Sequence, residues 1–273
     1  MPPRQSFPSH PRVRDAAALG FTSSLGPFAA NGIMPGFHAM AEDYGVSFVA
    51  VQQSLTIYLF TYAFFSLVAG SFSDSYGRRP TFIGGMLLFA AASVGAAFSQ
   101  SLWALYGWRL LQGIGAAVGQ VVTQAIVRDN WSGPEAANVM IAFFFAAGPA
   151  LAPVVGGQIV MYFGWHAVFF FLMVYSLSIA FFIYFRIPET LNAADRSAFN
   201  LSVICSNYAK GLTHGAFMTG VVAHGILFMG GILYSAGSAD FVIKVMGLDV
   251  DEFGWLSIPL IFASFAGAWG SIR

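Results

Sequence analysis

The sequence predicts an all-α, polytopic membrane protein, and three observations support this prediction. Hydrophobic residues make up 57% of the chain and charged residues only 9%, whereas an ordinary soluble domain carries about 25% charged residues. The apolar residues are collected into segments of about 20, the length that a helix needs to cross a bilayer. Charged and turn-forming residues are concentrated between these segments. The net charge is zero, so nothing favours a nucleic-acid partner.

Eight apolar segments bounded by turn-forming or charged residues are predicted to span the membrane. They are Ala16–Phe37, Ser47–Ala69, Thr81–Ser99, Leu102–Val127, Ala136–Tyr162, His166–Ile187, Thr213–Ala236 and Phe253–Ser271. Residues 1–15 hold three arginines and four prolines and are too polar for a cleaved signal peptide. They are predicted to form a cytoplasmic tail.

The basic residues give an orientation to these spans. Of the 12 lysines and arginines, Lys244 lies opposite the others and Arg109 lies inside a span. The rest fall on one side, which the positive-inside rule assigns to the cytoplasm. Residues 188–212 form the longest polar stretch and are predicted to be a cytoplasmic linker. Residues 16–187 would then form a six-helix bundle, and residues 213–273 the first two helices of a second, incomplete bundle.

The turn between the second and third spans carries a motif. Gly70, Asp74, Gly77, Arg78 and Arg79 match all five defined positions of G-x-x-x-D-x-x-G-R-[RK], and this turn resembles that of the major facilitator superfamily. Gly77 suits a tight chain reversal, and Asp74 and Arg78 are spaced to pair on one helix face. The resemblance implies a cytoplasmic gate in an alternating-access transporter, whereas the plainer interpretation is that the two arginines only fix topology.

The fourth span contains a charge. Small and polar side chains lie within about 60° of Arg109 when residues are placed about 100° apart: Gln112, Gly113, Ala116, Gln120, Thr123 and Gln124. Lipid cannot satisfy such a stripe, so it should face protein or water. The alternative is that Arg109 reaches the outer interface along its own stem. Arg109, Gln112, Gly113 and Gly115 resemble the R-x-x-Q-G-x-G pattern of the superfamily, which implies a role for Arg109 and Gln112 in proton coupling.

The fifth span resembles the G-P helix motif of exporting, antiporter-type facilitators, through Gly148, Pro149, Pro153, Gly156 and Gly157. Its prolines should bend the helix, and its glycines should admit a neighbouring backbone. A generic kinked packing helix remains the alternative.

Further segments narrow the resemblance to one subgroup. Residues 125–129, 163–169 and 187–191 are similar to those of bicyclomycin- and chloramphenicol-resistance (Bcr/CflA-type) exporters, and the resemblance runs from about Leu25 to Arg273. That subgroup continues for four more helices. We therefore expect a C-terminally truncated fragment of a transporter of about 400 residues, estimated from twelve spans, or else a truncated product that does not transport.

The first span departs from the subgroup. Asn31 stands where relatives often place an aspartate, and asparagine carries no proton. The carboxylates of the first six spans all fall near span ends. Other candidates for a proton carrier are His224, in the middle of the seventh span, and Asp240. A hydrogen-bonded packing role for His224 is equally consistent with the sequence.

The expected function is export of small amphipathic compounds by a proton-coupled antiporter in the inner (plasma) membrane. Polar and aromatic residues predicted to line the cavity are Asn31, Met34, Tyr58, Tyr62, Gln120 and Gln124. A cavity with Arg109 and no acid favours neutral, zwitterionic or weakly anionic compounds over cations. The alternatives are an uptake facilitator for a small metabolite and a non-transporting membrane protein. We expect no enzyme activity, cofactor, metal or nucleic acid, and a monomer in the lipid bilayer.

Overall fold

The described part of the chain is all-helical. The computed structural model describes residues 13–130, 151–240 and 246. Within these ranges the helices are α1 (Val13–Asn31), α2 (Phe37–Tyr44), α3 (Phe48–Tyr76), α4 (Arg78–Ala97), α5 (Leu102–Asn130), α6 (Leu151–Phe163), α7 (Trp165–Arg186), α8 (Leu201–Thr213) and α9 (Gly215–Asp240). The described residues contain no strand. The predicted all-α class is confirmed.

Four of the described helices are long and apolar enough to cross a membrane: α3, α4, α5 and α7. They coincide with the second, third, fourth and sixth predicted spans. Helix α6 and residues Gly215–Ile226 of α9 are apolar but shorter. Residues 136–150 of the fifth predicted span and the whole eighth span lie outside the described residues.

The first predicted span is not one continuous helix. Helix α1 ends at Asn31, a 3₁₀ turn follows at Met34–Gly36, and α2 begins at Phe37. Pro35 lies inside this turn and lacks the backbone N–H that a continuing helix would need. The prediction of an uninterrupted span over Ala16–Phe37 was therefore wrong at its C-terminal end.

The predicted linker is partly helical. Helix α8 covers Leu201–Thr213, and the side chain of Asn200 caps it by accepting hydrogen bonds from the N–H groups of Ser202 (3.0 Å) and Val203 (3.3 Å). The segment predicted as a cytoplasmic linker thus contains a helix over Leu201–Thr213 that begins at a capping asparagine. The chain divides into two compact units, and this division places residues up to Ala198 in the first and α8 and α9 in the second.

Helix α5 is the centre of the first unit. It packs against α1, α3 and α4, and α7 packs against α1 and α4. Two glycines bring its backbone close to both neighbours. A Cβ atom at Gly113 would lie 2.7 Å from the carbonyl oxygen of Tyr58 in α3, and one at Gly115 would lie 2.6 Å from that of Gly85 in α4. The side chains on this part of α5 therefore reach into the middle of the bundle.

The glycine contacts generate a stability prediction. Gly115→Ala should destabilise the protein by about 1–3 kcal/mol, because the added methyl group meets backbone atoms that cannot move without shifting α4. Gly107 lies on the same helix with open space around it. Gly107→Ala should therefore be neutral or stabilise by up to about 1 kcal/mol through helix propensity. Thermal unfolding in detergent compares the two, and equal melting temperatures would contradict the close approach.

Candidate functional site

Arg109 lies in the core of the first unit. Its side chain is 0% exposed. The guanidinium Nη1 donates hydrogen bonds to the backbone carbonyl of Ala29 in α1 (3.2 Å) and to Oε1 of Gln112, one turn further along α5 (2.9 Å). The alternative in which Arg109 extends to the membrane interface is excluded. The charge is held inside the bundle by neutral oxygen acceptors.

A hydrogen-bond chain continues from Gln112 into α4. Its Nε2 donates to Oγ of Ser93 (2.8 Å), and Ser93 Oγ donates to the carbonyl of Phe89 (2.8 Å). Gln112 and Ser93 are both fully buried, so their polar groups must form hydrogen bonds within the protein because water cannot reach them. Sequence reasoning missed Ser93, because a lone serine on an apolar helix is uninformative until its register against α5 is known.

Two tyrosines of α3 complete the surroundings of Arg109. The Arg109 Cζ atom lies 4.4 Å from the ring centroid of Tyr58, within the range of a cation–π interaction. The Tyr58 hydroxyl donates to the carbonyl of Gly26 (2.9 Å). The Tyr62 ring centroid is 6.3 Å from that of Tyr58. The structure thus brings four of the predicted residues together: Arg109, Gln112, Tyr58 and Tyr62. We call these four residues and Ser93 the arginine cluster.

The other predicted cavity residues lie in different surroundings. Asn31 ends α1, and its Nδ2 donates to the carbonyl of Pro27 in its own helix (2.8 Å). Met34 is partly buried against the core. On α5, Gln120 is half-buried and Gln124 is exposed. His224 lies on α9, in the second unit.

The turn between α3 and α4 is built as its motif predicts. Gly77 separates the two helices with φ of +103°, a conformation that favours glycine. Arg78 forms an ion pair with Asp74 and a second with Asp129 at the end of α5 (Nε to Oδ2, 3.2 Å). It also donates to Oγ of Ser73 (2.6 Å). The predicted Asp74–Arg78 contact is confirmed.

Glu189, just beyond α7, is the residue at this turn that sequence reasoning missed. Its carboxylate accepts hydrogen bonds from the backbone N–H groups of Arg78 (2.9 Å), Arg79 (3.3 Å) and Leu191 (3.1 Å). It therefore caps the N-terminus of α4, where free N–H groups and the helix dipole favour an anion. Thr190 Oγ1 adds a bond to Asp129 (2.9 Å). We call Asp74, Arg78, Asp129 and Glu189 the interhelical latch.

Arg79 and Ser197 extend these attachments. Arg79 donates through Nη2 to the carbonyl of Tyr184 in α7, and its Cζ lies 4.8 Å from the Tyr184 ring centroid. The N–H of Ser197 donates to the carbonyl of Asp74 (3.2 Å). The segment after α7 is therefore fastened to the α3–α4 turn at both of its ends.

Among the remaining motif glycines that the structure describes, Gly156 lies at a close contact between helices, whereas Gly157 and Gly70 do not. A Cβ atom at Gly156 of α6 would overlap the carbonyl oxygen of Gly32, just beyond α1, and one at Gly157 would lie 3.9 Å from Pro35. A Cβ at Gly70 would lie 3.6 Å from Val121 in α5, an ordinary contact. Pro153 lies in α6, whereas Gly148 and Pro149 lie outside the described residues.

Comparison with known proteins now identifies the family. A family model described as Major Facilitator Superfamily matches residues 19–273. The chain belongs to the major facilitator superfamily. This superfamily consists of membrane transporters, in agreement with the apolar helices and the motifs. The resemblance to the major facilitator superfamily that the sequence motifs indicated is confirmed.

Individual relatives agree with the narrower resemblance. The chain is 31% identical to a bicyclomycin resistance protein homolog of Haemophilus influenzae, over 90% of this chain and 64% of the relative. It is 29% identical to multidrug resistance protein D of Escherichia coli, over 90% of this chain and 62% of the relative. The chain therefore spans less than two thirds of the length of these two relatives.

A solved structure shows the same fold. The proton:xylose symporter XylE superposes with a TM-score of 0.68 over 95% of this chain and 68% of the symporter, at 16% identity. Identity this low establishes the helical architecture alone. Together with the family match, it confirms the predicted class of polytopic, all-α facilitator.

The cap made by Glu189 generates a second prediction. Glu189→Gln removes the negative charge and leaves one oxygen to serve three N–H groups, so the segment after α7 should detach more often. We expect trypsin to cut after Arg196 several-fold faster than in the unmodified protein. Glu42→Gln, at an exposed carboxylate of α2, is the matched control and should leave the rate unchanged. Equal rates in all three proteins would show that Glu189 does not hold this segment.

Proposed function

We propose that this chain belongs to an exporter of small amphipathic compounds that works by alternating access and is coupled to protons. The observation that carries the proposal is the fully buried Arg109, hydrogen-bonded across α1 and α5 inside a facilitator fold. A buried charge in a membrane bundle is costly and is associated with transport pathways and proton relays. The resistance-protein names of the two curated relatives favour export.

The proposal gives each cluster a role. Arg109 and Gln112 take part in proton coupling, and His224 is the candidate for the proton carrier in the second unit. Tyr58, Tyr62, Asn31, Met34, Gln120 and Gln124 contribute to the substrate path. Gly148, Pro149, Pro153, Gly156 and Gly157 provide the bend and the close helix contact of an antiporter-type helix. The transporter acts as a monomer in the inner (plasma) membrane, with its N-terminus in the cytoplasm.

In this proposal the interhelical latch and the glycines and arginines of the turn motif together form the cytoplasmic gate. Gly70 and Gly77 shape the turn, and Asp74, Arg78 and Arg79 carry its charges. Because Asp74, Asp129 and Glu189 come from three different segments, the latch stabilises one arrangement of α3, α4, α5 and the segment after α7. Opening this end of the bundle requires several of these charge-assisted bonds to break together, and such bonds are about twice as strong as neutral ones.

An uptake facilitator is the second candidate, and Asn31 favours it. Its amide is engaged with the carbonyl of Pro27 and cannot release a proton. If no other residue binds the coupling proton, the carrier would move its substrate down the gradient in either direction.

Accumulation assays distinguish the two candidates. Cells that express the chain are loaded with chloramphenicol or ethidium, with and without a protonophore. Lower accumulation that disappears with the protonophore supports the exporter. Faster equilibration that is insensitive to the protonophore supports the facilitator. A time course and a final accumulation that both equal those of cells without the chain refute both.

Arg109→Gln tests the coupling role. Glutamine retains hydrogen-bonding groups but no charge, so the amount of protein in the membrane should stay close to normal while proton-coupled export falls at least tenfold. Arg186→Gln, at the exposed end of α7, is the control and should export normally. Full export by Arg109→Gln, measured as drug efflux on energisation, would refute the role of the charge.

Asn31→Asp tests the missing acid. An aspartate at the end of α1 introduces a group that can bind a proton, so export should become more dependent on the proton gradient, and cations such as ethidium should become better substrates. Asn130→Asp, at the end of α5, places the same change outside the proposed substrate path. If Asn31→Asp altered neither coupling nor ethidium efflux, Asn31 would lie off the transport path.

A further inference from the structure

The guanidinium of Arg109 forms hydrogen bonds through one nitrogen, and one of its edges has no hydrogen-bond partner among the described residues. Its Nη1 makes both of the hydrogen bonds described above. Its Nε and Nη2 atoms are buried and have no hydrogen-bond partner among the described residues. These two nitrogens share one edge of the planar group and present parallel N–H bonds. Such an edge matches the two oxygens of a carboxylate or phosphonate.

The described side chains around Arg109 supply no negative charge to this edge. Its contacts are a backbone carbonyl, an amide oxygen and the ring of Tyr58. Both ion pairs found among the described residues are made by Arg78. Other described carboxylates are engaged elsewhere: Glu189 caps α4, and Asp43 accepts a hydrogen bond from Trp165 Nε1 (2.6 Å). A fully buried and permanently charged guanidinium without a counter-ion is costly.

We infer that the missing counter-ion is brought by the cargo. The proposal is that the Nε–Nη2 edge of Arg109 binds the carboxylate or phosphonate of an amphipathic organic monoanion, and it rests on the transport function proposed above. The rings of Tyr58 and Tyr62 provide an apolar and aromatic wall next to the charge, which suits an aryl or alkyl body on the anion. The substrate class is therefore aromatic or aliphatic acids with one negative charge.

Asn31 is consistent with this assignment. It follows by two positions Ala29, whose carbonyl accepts from Arg109. The Asn31 amide donates to the carbonyl of Pro27 and adds no negative charge to this end of α1, whereas an aspartate here would add one.

Arg109 is fully covered in this structure, so the anion must enter in another conformation of the bundle. Alternating access would provide one, since in facilitators one bundle rocks against the other around a site between them; we expect the Nε–Nη2 edge to become accessible in such a state. Once the anion is bound, the paired charges can be enclosed at lower cost than the bare guanidinium.

Binding of a matched probe series tests the inference. The intact chain, in lipid nanodiscs, is titrated with 1-naphthaleneacetate, with the isosteric neutral 1-naphthaleneacetamide, and with chloramphenicol. We expect the carboxylate to bind at least tenfold more tightly than the amide. Arg109→Lys keeps the charge but lacks the two-nitrogen edge. In this variant the affinity for the carboxylate should fall at least tenfold, while the affinity for the amide should change less than twofold. Equal affinity of acid and amide for the unmodified protein would overturn the inference without any variant.

A second variant protects the test against misfolding of Arg109→Lys. Asn31→Asp leaves Arg109 in place, and its added carboxylate should weaken binding of the acid several-fold without weakening that of the amide. Unchanged acid affinity in Asn31→Asp would also count against the inference. Failure of the two proposals can be told apart, because binding is read here without transport. Tight binding of the acid with no protonophore-sensitive efflux refutes the exporter alone, and efflux of chloramphenicol with no preference for the acid refutes the anion site alone.

Discussion

The rest of the first unit depends on the enclosure of one permanent charge. Three helices contact the guanidinium, through the carbonyl of Ala29 in α1, the ring of Tyr58 in α3 and the amide oxygen of Gln112 in α5. Ser93 in α4 accepts a hydrogen bond from Gln112 and so holds that amide in place. The glycines of α5 contribute to this arrangement by allowing close helix contacts. Because Gly113 and Gly115 let α3 and α4 approach, the short side chain of Ser93 can reach Gln112. The close packing of the helices and the buried hydrogen-bond network therefore depend on each other.

Helix α4 connects the arginine cluster to the interhelical latch. Its first residue, Arg78, is bound by Asp74, Asp129 and Glu189, and its Ser93 binds Gln112. These two residues are 15 positions apart, which corresponds to about 22 Å along a helix. Because a helix of this length tends to move as one body, we expect release of its N-terminus at the latch to shift Ser93 against α5. In the proposed transport cycle the two sites would then bias the same element, which is the physical requirement for coupling between them.

The sequence predicted the helical class, four of the spans and the turn at Gly77, because apolar length, glycine conformation and an i,i+4 ion pair are local properties. It also placed Arg109 and Gln112 on one stripe, since helical periodicity alone fixes their angle. Ser93 and Glu189 could not be found this way, because their partners lie 19 and 111 residues away in the chain. Helix α8 lies within the predicted linker, and its first N–H groups are capped by the side chain of Asn200, a residue type that is common at this position.

The chemistry of arginine itself argues for exchange over passive facilitation. Lysine or histidine could lose its charge when the bundle closes without cargo, but a guanidinium stays protonated in proteins. If the cargo is an anion, the loaded site is neutral and the empty site retains a positive charge. Closing the empty bundle then carries the cost of an uncompensated charge, whereas closing the loaded one does not. A carrier with this asymmetry returns most easily when a second anion compensates Arg109, and that route links outward movement of the cargo to inward movement of another species.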